Sequence, residues 1–267
     1  MTDENAFRPD IASTARMYDY YLGGKDNYPV DREAAKKVIK MMPPGTIRTA
    51  AVQNRAFLGR AVRYLAREVK MRQFLDIGTG LPTMNQVHEV AQSVDTACRV
   101  VYADHDPVVL AHAREMLDGV ENTTIVGHDL REPSDIIGDP EVRALLDFGQ
   151  PVALLLVAIL HFISDDEKPR ELIRTLTAPM APGSHLVISH ATADSHAQLD
   201  DVTQVYKNAT SQLSNRTHAE VAALFEGFEL VEPGIVGLPE WRPDADTGLA
   251  DNAGGYLFWC GVARKAW

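Results

Sequence analysis

Phe74-Leu75-Asp76-Ile77-Gly78-Thr79-Gly80-Leu81-Pro82-Thr83 is the stretch that decides the fold. Its first half completes a short apolar run over 73–77, of strand length, and its second half is a glycine turn. Glycine lets a backbone turn sharply and lets a ligand approach it closely. Pro82 suits the first turn of a helix, where its missing N–H costs nothing, so a helix is expected to begin there. The dinucleotide fingerprint GxGxxG needs a third glycine at position 83, where this chain has Thr83. Asp76 carries more information than the glycines. A carboxylate there is unfavourable beside a pyrophosphate and favourable beside a cation.

The same design repeats outward. Further strands are expected at 99–104, 123–126, 152–157 and 185–189, with helical patterns between most of them, including 107–117 and 168–180. That βαβ rhythm implies a parallel sheet with helices on both faces. The run Val152-Ala153-Leu154-Leu155-Leu156-Val157 is apolar throughout, as suits a central strand covered on both sides. The second strand ends at Asp104, placed to accept hydrogen bonds from ribose hydroxyls. Asp106 is its competitor, but it precedes Pro107, where a helix N-cap is the natural role. The third strand leads into Gly127-His128-Asp129-Leu130. Asp129 suits an exocyclic adenine amine, and the Leu130 N–H a ring nitrogen. Three acids thus fall at the carboxyl ends of three successive strands, the edge where open α/β sheets bind ligands. S-adenosylmethionine fits this pattern, being a nucleoside with an ammonium and a sulfonium and no phosphate.

Three regions emerge along the chain of 267 residues. Residues 1–70 read as helical. A helix over 14–22 ends at Gly23-Gly24, a second runs from an Asp31 cap to about Met42, and a third covers 46–69. Residues 72–190 carry the βαβ pattern. Residues 191–267 hold a polar helical stretch at 196–212, a helix at 217–225, strands at 229–236 and 256–263, and a Pro/Gly/Asp-rich loop over 238–255. The expected division is an N-terminal helical lid or extension, 1–70, and a Rossmann-like unit, 71–267, forming one compact whole. The net charge of −11 argues against nucleic acid as main partner. No apolar run is long enough for a membrane span. The N-terminus has no basic or apolar leader pattern, and Cys98 and Cys260 have no metal or redox spacing, so a cytoplasmic location without a metal site is expected.

From these residues the chain resembles the class I S-adenosylmethionine-dependent methyltransferases. Asp76-x-Gly78-x-Gly80 is similar to that family's first motif, Asp104 to its ribose acid and Asp129 to its adenine-side acid. Ala181-Pro182-Gly183-Ser184 is similar to its turn before the fifth strand. The departure is Pro82, where many members have a third glycine. The resemblance implies a Rossmann-like, seven-stranded, mostly parallel sheet of order 3-2-1-4-5-7-6. Ala15 to Tyr28, with Asn54-Arg55-Ala56-Phe57-Leu58 and the glycine turn, resembles more narrowly an actinobacterial methyltransferase family long catalogued as a domain of unknown function. That likeness implies that Tyr18, Tyr21, Lys25 and Asn27 belong to a lid touching the methionine end of the donor. The competing reading packs the tyrosines on the sheet.

Further candidates follow. Thr79 belongs to the cradle, and Val157 ends the fourth strand beside it. His105 is a candidate for the adenine face or a solvent-facing loop, and Arg55 for the donor carboxylate or a surface ion pair. His161 and His190, after the fourth and fifth strands, are candidates for a general base or for structural roles. Tyr206 and Trp241 are candidate pocket walls. The expected function is methyl transfer from S-adenosylmethionine to a small-molecule acceptor, the alternatives being a non-catalytic donor-binding regulator and a dinucleotide oxidoreductase.

Overall fold

The computed structural model describes residues 10–82, 85–194, 199–207, 209–244 and 256–266. Thr83, positions 196–198 and 208 of the polar stretch, and 245–255 of the expected loop lie outside the described residues. The strands are β1 (Gln73–Ile77), β2 (Arg99–Asp104), β3 (Thr123–Gly127), β4 (Ala153–Val157), β5 (His185–Ala191), β6 (Glu229–Leu230), β7 (Val236–Gly237) and β8 (Phe258–Arg264). The sheet order is β3-β2-β1-β4-β5-β8-β6, with β7 also paired to β8. The first five strands run parallel and β8 is antiparallel to β5.

The expected order is therefore found with eight strands in place of seven. The run read as one strand at 229–236 is broken by Pro233-Gly234, where Gly234 takes φ 91° and donates back to the Val231 carbonyl. Its two ends pair separately with β8.

Alternation along the strands sorts the core into two layers. Phe74, Val100, Tyr102 and Leu155 face α3 (Thr46–Arg67), α4 (Val87–Val94) and α5 (Pro107–Met116). Leu75, Val101, Leu154 and Ile188 face α6 (Pro133–Gly138), α7 (Pro140–Leu145), α8 (Pro169–Thr177) and α10 (His218–Leu224). A third cluster joins α1 (Thr14–Leu22), α2 (Pro29–Met41), the start of α3 and α9 (Leu199–Tyr206), through Met17, Val38, Ala50 and Val202.

Two expected helix starts move. The helix after the glycine turn begins at Val87, not near Pro82. Gln86 precedes it and donates its N–H to Glu89 Oε2 at 3.1 Å, while Asn85 takes φ 57°. The second helix begins at Pro29. Asp31 sits inside its first turn and accepts from the Tyr28 N–H at 2.7 Å.

Candidate functional site

β1 and β2 deliver their acids to the same edge of the sheet. Gly78 continues the ladder by donating to the Ala103 carbonyl at 2.8 Å, then turns at φ 72°. A Cβ on Gly78 would lie 2.6 Å from the Ile159 side chain, so close packing and backbone sign both require glycine. Gly80 also takes positive φ, but a Cβ there would meet no atom within 4 Å. Its empty side belongs to a cavity of about 570 Å³ that Asp76, Gly78, Thr79, Gly80, Asp104, His105 and Val157 all line. That volume is in the range of small-molecule sites, ~300–1,000 Å³.

Asp104 accepts from the Gly80 N–H at 2.9 Å and the Asp106 N–H at 3.0 Å. These two bonds fix the glycine turn against β2 and leave the carboxylate with further lone pairs. Burial raises the Asp104 pKa, against the pull of those backbone donors. Asp76 is pushed up to about 6, mainly by burial, although Arg55 and the Thr79 hydroxyl favour its charged form. Asp106 takes the N-cap role, accepting from the Val108 N–H at 2.8 Å, and its other oxygen accepts from the Ser13 hydroxyl at 2.8 Å. His105 is partly exposed, 3.9 Å from Asp104.

The N-terminal helices close over this edge. Ser13, Tyr18, Asp19 and Tyr21 line the cavity from the α1 side, and Asn54 and Arg55 line it from α3. The Tyr18 hydroxyl donates to the Ala51 carbonyl at 3.1 Å and accepts from Asn54 Nδ2 at 2.9 Å. Asn54 Oδ1 accepts from the Ser189 hydroxyl at 2.5 Å, and Ser189 Oγ accepts from the Ala158 N–H. One hydrogen-bonded chain thus ties α1 and α3 to the ends of β4 and β5. The α1–α2 corner is held by the buried pair Arg16–Asp31 at 2.7 Å.

Lys25 and Asn27 do not line the cavity. Lys25 is exposed, and Asn27 instead donates to Asp19 Oδ2 at 2.7 Å. The polar loop therefore positions Asp19, a buried cavity acid that sequence reasoning missed. Burial raises the Asp19 pKa. Its signal was Gly24, whose Cβ would fall 1.8 Å from Asp19 Oδ1.

Asp129 and Leu130 also lie off the cavity wall. Asp129 accepts from the Arg131 N–H at 2.8 Å and from the Arg131 guanidinium at 3.2 Å, while Leu130 packs into the core below. Trp241 is buried on the other layer, edge-on to Phe57 at 5.5 Å, and walls nothing in this cavity.

The two histidines separate. His190 is fully buried and away from the cavity. Nδ1 bonds to the Ala191 carbonyl at 2.7 Å, and Nε2 bonds to the Arg216 guanidinium at 2.8 Å. Both ring nitrogens of His190 are thus committed, the second to a cation donor. Burial, with Arg216 adding to it, pushes its pKa down to about 4. His161 lines the cavity. Its Nδ1 accepts from the Ala191 N–H at 3.4 Å, which leaves the proton on Nε2. Burial first, then His190 and Arg216, hold its pKa well below the usual histidine value. Beyond it, the Tyr21 and Tyr206 hydroxyls lie 3.1 Å apart.

The family model described as S-adenosyl methyltransferase matches residues 2–266. No curated protein matches the chain in sequence. A crystal structure of a DUF574 family protein from Streptomyces avermitilis is 41% identical, with TM-score 0.92 over 97% of this chain and 100% of that one. A candidate methyltransferase from Thermobifida fusca is 38% identical, with TM-score 0.91 over 97% of each chain. At the level of fold, the Burkholderia thailandensis 1,6-didemethyltoxoflavin-N1-methyltransferase, solved with 1,6-didemethyltoxoflavin and S-adenosylhomocysteine, matches at TM-score 0.50 and 17% identity over 79% of each chain.

Proposed function

Because the chain belongs to the S-adenosyl methyltransferase family, we propose that it moves a methyl group from S-adenosylmethionine to a small-molecule acceptor in the cavity above the strand ends. The observation that carries this reading is the continuity of that cavity, which runs from the acidic glycine cradle to a second set of walls on α2, α3 and α9.

The residues present suit the donor. Asp76 and Asp19 supply negative charge for its ammonium, and Asp104 supplies lone pairs for ribose hydroxyls. Gly78 and Gly80 clear the backbone for close approach, with Thr79 between them. Arg55 is assigned to the donor carboxylate, with Val157 and His105 beside the nucleoside. Tyr18 and Tyr21, on the helical segment before residue 70, serve as a lid. Bound S-adenosylmethionine supplies an electrophilic methyl carbon, open to direct displacement. The chain's contribution is then alignment and exclusion of water. His161 offers an N–H to orient the acceptor and is not assigned the task of removing a proton.

The location proposed is the cytoplasm, in keeping with two buried free thiols. No helix among the described residues is long and apolar enough to cross a membrane.

Calorimetric titration with S-adenosylhomocysteine and with NAD tests the donor assignment. Micromolar binding of the first and none of the second is expected. NAD binding without S-adenosylhomocysteine binding would sink the reading.

A further inference from the structure

The cavity has two chemically different parts. The carboxylates of Asp19, Asp76, Asp104 and Asp106 line it toward the sheet edge and α1. The other part is walled by Val38, Ile47, Ala50, Val202, Leu213 and Leu257, all from one apolar cluster. Rings complete that wall. Phe162 and Tyr206 lie 5.9 Å apart between centroids, and His161 stands edge-on to Phe162 at 4.3 Å and to Phe258 at 5.7 Å. Arg16 also lines the cavity, and its charge is met by the buried Asp31 carboxylate. A charged guest would lose its hydration here against walls that return little of it. Ring edges and faces favour a flat guest.

Polar capacity in this part is limited and placed. Among the described residues, the Tyr21 and Tyr206 hydroxyls bond only to each other. One hydroxyl's hydrogen and one lone pair are consumed, so the pair keeps one hydrogen to give and lone pairs to accept with. His161 lines the cavity as well. Asn215, also on the cavity wall, has a buried Oδ1 with no partner among the described residues. Buried polar groups with unmet capacity call for a ligand or a water.

We propose that the methyl acceptor is an uncharged, flat, largely apolar molecule that presents a hydroxyl to the Tyr21–Tyr206 pair. This rests on the methyltransferase reading and adds the acceptor's chemical class. A hydroxyl both gives and takes a hydrogen bond, as the pair requires. A carboxylate only takes, and an ammonium only gives.

The test uses the full chain saturated with S-adenosylhomocysteine and titrated with three probes of one shape. These are 2-naphthol, its anionic relative 6-hydroxy-2-naphthoate, and its cationic relative 6-(aminomethyl)-2-naphthol. The expected result is that 2-naphthol binds at least about tenfold more tightly than either charged probe. Tyr206→Phe should weaken 2-naphthol by about fivefold or more, the scale of one net hydrogen bond, while S-adenosylhomocysteine affinity stays unchanged. That unchanged affinity also reports a folded variant. Equal or tighter binding of a charged probe, no binding of 2-naphthol, or an indifferent Tyr206→Phe overturns the acceptor class while the donor reading stands. Failure of the wild type to bind S-adenosylhomocysteine overturns the donor reading, and this proposal with it.

Discussion

Replacing Asp76 with asparagine should make the unliganded protein more stable and a worse donor binder. Asp76 is 4% exposed, and its pKa is raised from 3.8 to about 6, mainly by burial. Folding therefore favours the protonated acid. The sign follows from linkage. A group whose folded pKa is raised contributes fully below its unfolded pKa, and that contribution is lost as pH rises through about 6. At pH 7 the wild type carries the whole cost of holding the charge. A shift of about two units at roughly 1.4 kcal/mol each comes to about 3 kcal/mol. At pH 5 the cost is about half of that, because part of the wild-type population is already neutral.

Asparagine keeps the shape and removes the charge. Urea titration of the unliganded Asp76→Asn variant should show a gain approaching about 3 kcal/mol at pH 7 and a clearly smaller gain at pH 5. Calorimetry with S-adenosylhomocysteine at pH 7 should show a loss of roughly 1.5–3 kcal/mol, the scale of a hydrogen bond to a charged group. Wild-type affinity should fall as pH drops through 6, while the variant's should stay flat. Destabilisation at pH 7, or a stability gain equal at both pH values, would refute the argument that Asp76 is held charged at a cost. An unchanged affinity would refute its role toward the donor.

Three further outcomes are expected. Asp104→Ala should weaken S-adenosylhomocysteine by roughly 1–3 kcal/mol in calorimetry, and unchanged affinity would remove the ribose assignment. Gly24→Ala places a methyl 1.8 Å from Asp19 Oδ1, so chemical denaturation should register an overpacking loss of about 1–3 kcal/mol; a neutral result would mean that Asp19 moves freely. Asp31→Ala leaves the 3%-exposed Arg16 without its carboxylate and the Ser13 and Tyr28 N–H groups without their acceptor, for an expected loss of about 3–5 kcal/mol in the same assay; a loss below about 1 kcal/mol would show the corner to be held by apolar packing instead.

The sheet was legible because strand runs such as 152–157 are apolar on both faces, and no helical periodicity competes with them. The cradle was legible because acids and glycines recur at one place in successive βα units. What stayed hidden was set by partners distant in sequence. His190 and His161 look alike at their strand ends. Only Arg216, from a loop 26 residues beyond His190, takes the lone pair of one and leaves the other on the cavity wall. Asn27 looked like a ligand residue until the fold put Asp19 within 2.7 Å of it. Asp129 was assigned by its place after β3, but the neighbouring Arg131 folds back onto it. Local capping also overrode a good propensity signal, since Gln86 with Glu89 starts the helix that Pro82 was expected to start. Of the second part of the cavity Tyr206 was expected as a wall, but its apolar lining was not legible, because α2, α3, α9 and Leu257 meet only in the folded chain.

The placement of charge explains why this site suits a cationic nucleoside and not a phosphorylated one. Asp19, Asp76 and Asp104 all have pKa values raised first by burial, and Asp76 is raised further by Asp104. The cradle thus holds negative charge in a place that resists it. A pyrophosphate would deepen that penalty. A cation relieves it, because each carboxylate that regains an opposite charge recovers part of its lost hydration energy. Two titratable groups of the other part, His161 and Tyr206, stay neutral. His161 is held uncharged by burial and by the cationic side of Arg216, and Tyr206 is pushed up to about 12 by burial. One end of the cavity therefore offers carboxylates to a cation, and the other is walled mainly by apolar and ring side chains. That contrast follows from which residues each strand end and each roofing helix brings to one edge of the sheet.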